Sequence, residues 1–253
     1  MDNLINSSLL FSLVSLVFYF LHGIFKVKKT SSLFVVSLFL SWLFSLLYFV
    51  LYSFKNARLP LSNQYESVLL LSQAAFAGGF YFYFGKGKNI QNLLPSAVSG
   101  AILLSLLNLL DSSARPLMPA LRSNWLFFHV FTAMISYAFF FLAAIKGFLD
   151  LLSKKENENS YELPLVKSGF AMLTLAIITG AVWAENAWNR YWSWDPKETW
   201  SLITWLYYGC VLHLNKKYFT RKMFYVSLII GIFVVIFTYF GVNYLLSGLH
   251  SYA

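Results

Sequence analysis

Six of the eight Trp in this 253-residue chain fall between Trp183 and Trp205, in the string WAENAWNRYWSWDPKETWSLITW. Glu185, Arg190, Asp195, Lys197 and Glu198 are set among the rings of Trp183, Trp188, Trp192, Trp194, Trp200 and Trp205. Flat aromatic rings with charges in their seams suit a large, flat, partly anionic ligand. Stacking supplies area, and cations or backbone N–H groups hold acidic groups at the rim. The competing reading is an interfacial aromatic belt, but a belt is spread over several helix ends, whereas this cluster is one continuous segment.

The elements that must position this segment are helices in a bilayer. The chain is 58% hydrophobic and 11% charged, which is the composition of an all-α, polytopic transmembrane bundle and not of a soluble domain. Runs of about 20 mostly apolar residues mark spans. They predict about eight helices, near 4–25, 33–54, 65–84, 91–110, 125–151, 165–188, 196–214 and 223–246. The third and fourth carry interruptions, Gly78-Gly79 and Pro95. The first run has no basic residue before it and no small-residue cleavage site, so it reads as a retained helix.

Charge gives orientation. Lys26, Lys28, Lys29, Lys86, Lys88, Lys154, Lys155, Lys216, Lys217, Arg221 and Lys222 fall on one side of such a bundle, with Lys146 and Lys167 at flanking helix ends; these are 13 of the 19 Lys and Arg. Lys55, Arg58, Arg115, Arg122, Arg190 and Lys197 fall on the other. The positive-inside rule then puts both termini and the Trp segment on the outer face. In such a chain the net charge of +9 is a topology signal, not a nucleic-acid signal. The single cysteine, Cys210, excludes an intrachain disulfide or a Cys-based metal site and reads as a small buried hydrophobe.

Local signals shape the Trp segment. Asp195-Pro196-Lys197-Glu198 offers an N-cap, a Pro at the first helical position and a Glu three residues after the cap. The segment is therefore the end of helix six, a short outer excursion over Arg190–Trp194 and a sharp re-entry. Asp195 is thus either a structural cap or a ligand-site residue. Trp188 and Trp192, four apart, share a face if the excursion is helical.

Four histidines remain. His129 opens helix five and His250 follows helix eight, so both belong to the outer end with the Trp segment. Neutral imidazoles are natural axial ligands of heme iron, and two give a six-coordinate site; otherwise each is an interfacial His bonded to a helix end. His213 lies about 25 Å further down helix seven, at 1.5 Å per residue, so it cannot share an iron with them. It is either an inner ligand or an inner-interface residue, and His22, also near that end, is a candidate to pair with it at a second site.

From Trp188 to Trp200 the string WNRYWSWDPKETW closely resembles the CcsA/ResC family, the heme-handling membrane subunits of a cytochrome c assembly pathway of bacteria and chloroplasts, within the superfamily named for its WWD motif. His129 followed by Met134-Ile135-Ser136-Tyr137-Ala138, and the ending Gly241–Tyr252, resemble the family too. The resemblance covers about residues 120–253. The family usually has Gly where this chain has Asn189, which tolerates a left-handed backbone better than most residues.

The resemblance implies a single integral-membrane domain over 1–253, with four helices in 1–110 and a heme-handling part in 111–253 whose Trp-rich outer segment is 183–200. It implies heme b presented on the outer face against the Trp segment, with His129 and His250 as axial ligands. His213 matches an inner heme ligand whose second ligand comes from a CcsB/ResB partner. Apocytochrome c then brings its CXXCH segment, and the complex acts as a cytochrome c synthase, with a thioredoxin-like reductant as a further partner. Arg190 and Lys197, with Arg115 and Arg122 behind them, are the cations expected at the propionates. The expected location is a bacterial inner membrane in preference to a thylakoid. Two alternatives stand beside this: a heme carrier of the WWD superfamily without synthase activity, and a non-heme protein that uses the Trp segment for lipid or a partner.

Overall fold

The structure is a computed structural model that describes residues 2–114, 116–153, 161–214, 219–246 and 248. His250, Arg115, Lys154, Lys155, Lys216 and Lys217 lie outside the described residues. The described part is all-helical: α1 (Asp2–Phe25), α2 (Lys28–Lys55), α3 (Gln64–Gly85), α4 (Leu94–Leu107), α5 (Asn124–Ser153), α6 (Glu162–Trp188), α7 (Pro196–His213) and α8 (Arg221–Ile236). A π-helical turn, Phe237–Gly241, and a last short helix, α9 (Val242–Leu245), extend α8. Seven of the described helical segments are long and apolar enough to cross a membrane; α7 is not among them. Its first turn spends Pro196, Lys197, Glu198 and Thr199 on starting the helix, and Trp and Tyr dilute the rest. The chain is thus a polytopic helical bundle, the form in which backbone polar groups are satisfied within each span.

The helices gather into two compact units, Met1–Pro60 with Gln64–Ala114, and Leu61–Asn63 with Arg115–Ala253. In the first unit serines replace bulky residues where helices touch, so that backbones approach closely. Ser8 Oγ donates to the Ser41 carbonyl at 2.7 Å and Ser41 Oγ returns the bond to Ser8 at 2.8 Å, joining α1 to α2. Ser12 Oγ donates to the Ala97 carbonyl of α4 at 3.2 Å. Gly78-Gly79 does not break α3; Gly79 lets Ser96 of α4 come into contact where a Cβ would collide. Pro95 sits in the first turn of α4, where no N–H is needed. The loop after α2 is held by Arg58, which donates to both Glu66 oxygens at 2.7 and 2.8 Å, while Tyr52 OH donates to the same carboxylate at 3.1 Å.

The second unit is an antiparallel up-down bundle of α5–α8. From α5 to α6 the contacts run in opposite order: His129 with Ala176, Ser136 with Gly169, Lys146 with Glu162. From α7 to α8 they run Thr204 with Thr238, then Tyr207 with Ser227. At mid-bundle the rings of Phe140 and Tyr208 stack at 3.6 Å, and Gly169 and Gly231 give them room.

Two expectations are corrected. Cys210 is exposed on α7 and not buried. Lys146, counted with the helix-end cations, faces the bundle: it is 3% exposed, bonded to Asp150 one turn along and 3.4 Å from Glu162 of α6, with the Tyr161 ring 5.6 Å away. An intramembrane charge must be paired, and here one ammonium serves two carboxylates.

Removing the ammonium strands both acids. Lys146→Met is expected to destabilise the detergent-solubilised protein by about 3–5 kcal/mol, read as a lowered Tm, whereas Lys222→Met at an exposed position leaves it unchanged.

Candidate functional site

Chain direction places the start of α5, the end of α6, the start of α7 and the end of α8 at one end of the second unit. His129 is held there by a face of α6. Its Nδ1 is 2.8 Å from the Ala176 carbonyl oxygen, an acceptor, so Nδ1 carries the proton and the lone pair is on Nε2. One turn on, Gly180 leaves the space the ring fills: a Cβ there would stand 2.6 Å from Nδ1. Three residues further, the Trp183 ring lies parallel to the imidazole, with centroids 6.0 Å apart and planes 12° apart. The positions 176, 180 and 183 are thus one stripe of α6 that fixes both the plane and the tautomer of His129.

Trp183 is a backing plate, not an open shelf. It is 2% exposed, its Nε1 donates to the Ala120 carbonyl at 2.8 Å, and Trp188 meets it edge-on at 4.8 Å. The remaining rings divide. Trp192 and Trp194 meet edge-to-face at 5.8 Å in the loop. Trp200 packs on Phe237 of the π turn at 4.3 Å, and Trp205 stacks on Phe170 and donates from Nε1 to Thr174 of α6 at 2.8 Å. Trp205 is therefore a helix-packing residue.

The loop is built by backbone geometry. α6 ends on Asn189 in the left-handed region, φ 55° and ψ 37°, with its N–H on the Glu185 carbonyl; Asn does what Gly would do there. The excursion that follows is not helical, so Trp188 and Trp192 do not share a helix face. Asp195 then caps α7, accepting from Lys197 N at 2.9 Å, and Glu198 accepts from Ser193 N at 2.7 Å and from Asp195 N at 3.2 Å. Both carboxylates are committed to the turn, which assigns Asp195 the capping role. Trp194 is forced to φ 60°, a strained position for an aromatic residue, and its ring is 69% exposed. Trp192 Nε1 is a buried donor with no acceptor among the described residues. Arg190 and Arg122 are exposed, whereas Lys197 donates to Asn243 Oδ1 of α9 at 2.6 Å. Gly248, two residues before His250 in sequence, lies against the Asp195 carboxylate.

His213 is at the other end of α7, exposed, with Nδ1 2.7 Å from the Gly209 carbonyl oxygen. His22 belongs to the first unit and bonds Val27 and Thr30 at the α1–α2 turn. Sequence reasoning missed Gly180, Ala176 and Asn243. A small residue at i and i+4 before an aromatic at i+7 on α6 is the one pattern that points to the first two.

A helix closed by a left-handed turn, a capped re-entry and a seated imidazole come together with a family match. The cytochrome c assembly protein family model matches residues 1–250. The chain belongs to that family. It is 32% identical to the cytochrome c biogenesis protein CcsA of Guillardia theta over 98% of this chain and 94% of that protein. Against CcsA of Synechococcus sp. (strain CC9902) it is 35% identical over 80% of this chain and 81% of that protein. Against CcsA of Chlamydomonas reinhardtii it is 36% identical over 78% of this chain and 62% of that protein. The solved structure of the cytochrome c heme lyase CcmF superposes with a TM-score of 0.68 at 16% identity. It covers 92% of this chain and 46% of that one, so this family member spans about half of that protein and shares its fold.

Within this family member the cap and the charge of Asp195 are separable. Asn is as good an N-cap as Asp, so Asp195→Asn is expected to keep Tm while Asp195→Ala loses about 1 kcal/mol, measured by thermal unfolding in detergent.

Proposed function

We propose that the chain is the heme-handling subunit of a cytochrome c synthase, working in cytochrome c biogenesis as an integral-membrane protein whose Trp segment and both termini face the outer side. The observation that carries this reading is the seat of His129. An imidazole whose Nδ1–H is bonded to a backbone carbonyl is oriented and made more basic at Nε2, which is how metal-ligating histidines are held. The strained, exposed Trp194 and the unsatisfied Trp192 Nε1 beside it supply a stacking face and a donor for an anionic ligand edge.

In this reading heme b is substrate, bound at one axial position by His129 Nε2 and at the other by His250. Trp188, Trp192, Trp194 and Trp200 border it, with the buried Trp183 behind His129. Arg190 and Lys197 meet its propionates, with Arg122 and Arg115 as further cations. Apocytochrome c presents its CXXCH segment, whose histidine replaces one axial imidazole. Each cysteine S–H adds across one heme vinyl group: sulfur bonds to the inner vinyl carbon and hydrogen to the terminal one. A thioredoxin-like reductant supplies the dithiol form. The protein contributes orientation, holding vinyl and thiol within reach. His213, exposed at the opposite end, would serve an inner heme whose other ligand comes from a CcsB/ResB subunit. The whole chain acts as one integral-membrane domain, in a bacterial inner membrane or, equally by the relatives named above, a thylakoid membrane.

The test is the visible spectrum of the protein purified with its CcsB-type partner. Wild type is expected to show a low-spin bis-His heme, His129→Ala and His250→Ala to lose or alter it, and added imidazole to restore it. Heme content and spectrum unchanged in both variants would overturn the ligand assignment. Gly180→Ala pushes the imidazole off its seat and is expected to resemble His129→Ala, with heme occupancy lowered by about tenfold, the equivalent of 1.4 kcal/mol.

A further inference from the structure

Four residues along the first turns of α7 each meet a residue from the end of the chain. Thr204 Oγ1 is 2.8 Å from Thr238 Oγ1, and the Trp200 ring lies 4.3 Å from that of Phe237. Lys197 Nζ donates to Asn243 Oδ1 at 2.6 Å. At Gly248 a Cβ would stand 2.3 Å from Asp195 Oδ2 and 3.1 Å from Pro196 Cδ, so only glycine seats there without displacement. The residues 238, 243 and 248 therefore climb α7 in step, from Thr204 to its N-cap.

The π turn makes this step possible. It holds Phe237–Gly241, and Gly241 gives room to the Phe237 ring. A π turn carries one residue more than the α-helix it interrupts. Without it, Asn243 would be rotated by about 100° about the helix axis, since each residue of an α-helix turns that far. Such an interruption has an energetic cost that a regular helix avoids, and here it brings the amide of Asn243 onto a lysine.

Among the described residues, Lys197 is the cation of the Trp segment whose head group is engaged with the end of the chain. An ammonium has three N–H donors, so the bond to Asn243 leaves capacity for an anion. We propose that Lys197 and Asn243, brought into register by the π turn, are positioning residues that clamp the chain's C-terminal end onto the Trp segment. The clamp itself stands on described contacts; its consequence for the axial position served by His250 rests on the function proposed above.

The test has two readouts in the full-length protein with its partner. In a Cys210→Ser background, Val242→Cys places a thiol on the buried side of α9, where Val242 is 4% exposed. Maleimide labelling is expected to be slow in that parent. It is expected to rise on the order of tenfold in Asn243→Ala and, independently, in Gly248→Ala, as for a segment released to local opening. Asn243→Asp keeps an acceptor for Lys197 and is expected to label as slowly as the parent. Labelling equally slow in Asn243→Ala and Gly248→Ala overturns the clamp. The second readout is the heme spectrum, with His250→Ala as reference. If His250→Ala alters it, Asn243→Ala and Gly248→Ala should reproduce that change in part, and added imidazole should reverse it. A wild-type spectrum in both, beside an altered His250→Ala, overturns the positioning role while the ligand reading stands. A wild-type spectrum in His250→Ala overturns the ligand reading, and the labelling rates still decide the clamp.

Discussion

Between Trp188 and Pro196 the chain must reverse direction at the end of a bundle while leaving no backbone donor or acceptor stranded. The rest of the candidate site depends on how it does so. Asn189 ends one helix by turning left-handed, and the Asp195–Glu198 box starts the next by taking up the N–H groups that a helix start exposes. Because the carboxylates do that work, the loop can be short and still fixed. Because it is short and fixed, Trp194 is held in a backbone conformation it would not choose, with its ring outside. Strain at one aromatic residue is offset by the order of the whole turn.

The imidazole of His129 depends on the same economy of space at a helix–helix contact. Three positions on α6 do three different things: a carbonyl selects the protonated nitrogen, a glycine makes room, and a buried indole sets the plane. None of the three is polar at its side chain except the indole, whose N–H is consumed by Ala120. The chemical identity of the site thus lies in one residue, and its geometry in the apolar neighbours.

These two cases show what the amino-acid string reveals and what it hides. The capping box was legible because it is local and depends on fixed offsets, and the left-handed Asn189 because the resemblance places Gly there. The eight helices were legible from apolar length, although α7 is recognisable by its start and not by its hydropathy. The shelf of six rings was not legible as built, because a run of Trp says nothing of where each ring points. Trp183 proved to be core and Trp205 to be packing. Gly180 and the π turn were hidden for a different reason: each acts through a neighbour far away in sequence, and a glycine or an extra residue in an apolar run leaves no periodic trace. Lys146 was counted with the helix-end cations because its partners, Asp150 and Glu162, stand on either side of a polar insert.

That last cluster also bears on how α5 and α6 come together. A charged side chain within an apolar helix is costly in lipid unless it is paired. Lys146 and Asp150 belong to α5, but the second acid, Glu162, opens α6. Lys146 and Asp150 pair within α5, one turn apart, whereas Glu162 meets that ammonium once the two helices lie together. Closing the α5–α6 hairpin therefore gives Glu162 a cation and at the same time lays His129 on the stripe of α6 that holds it.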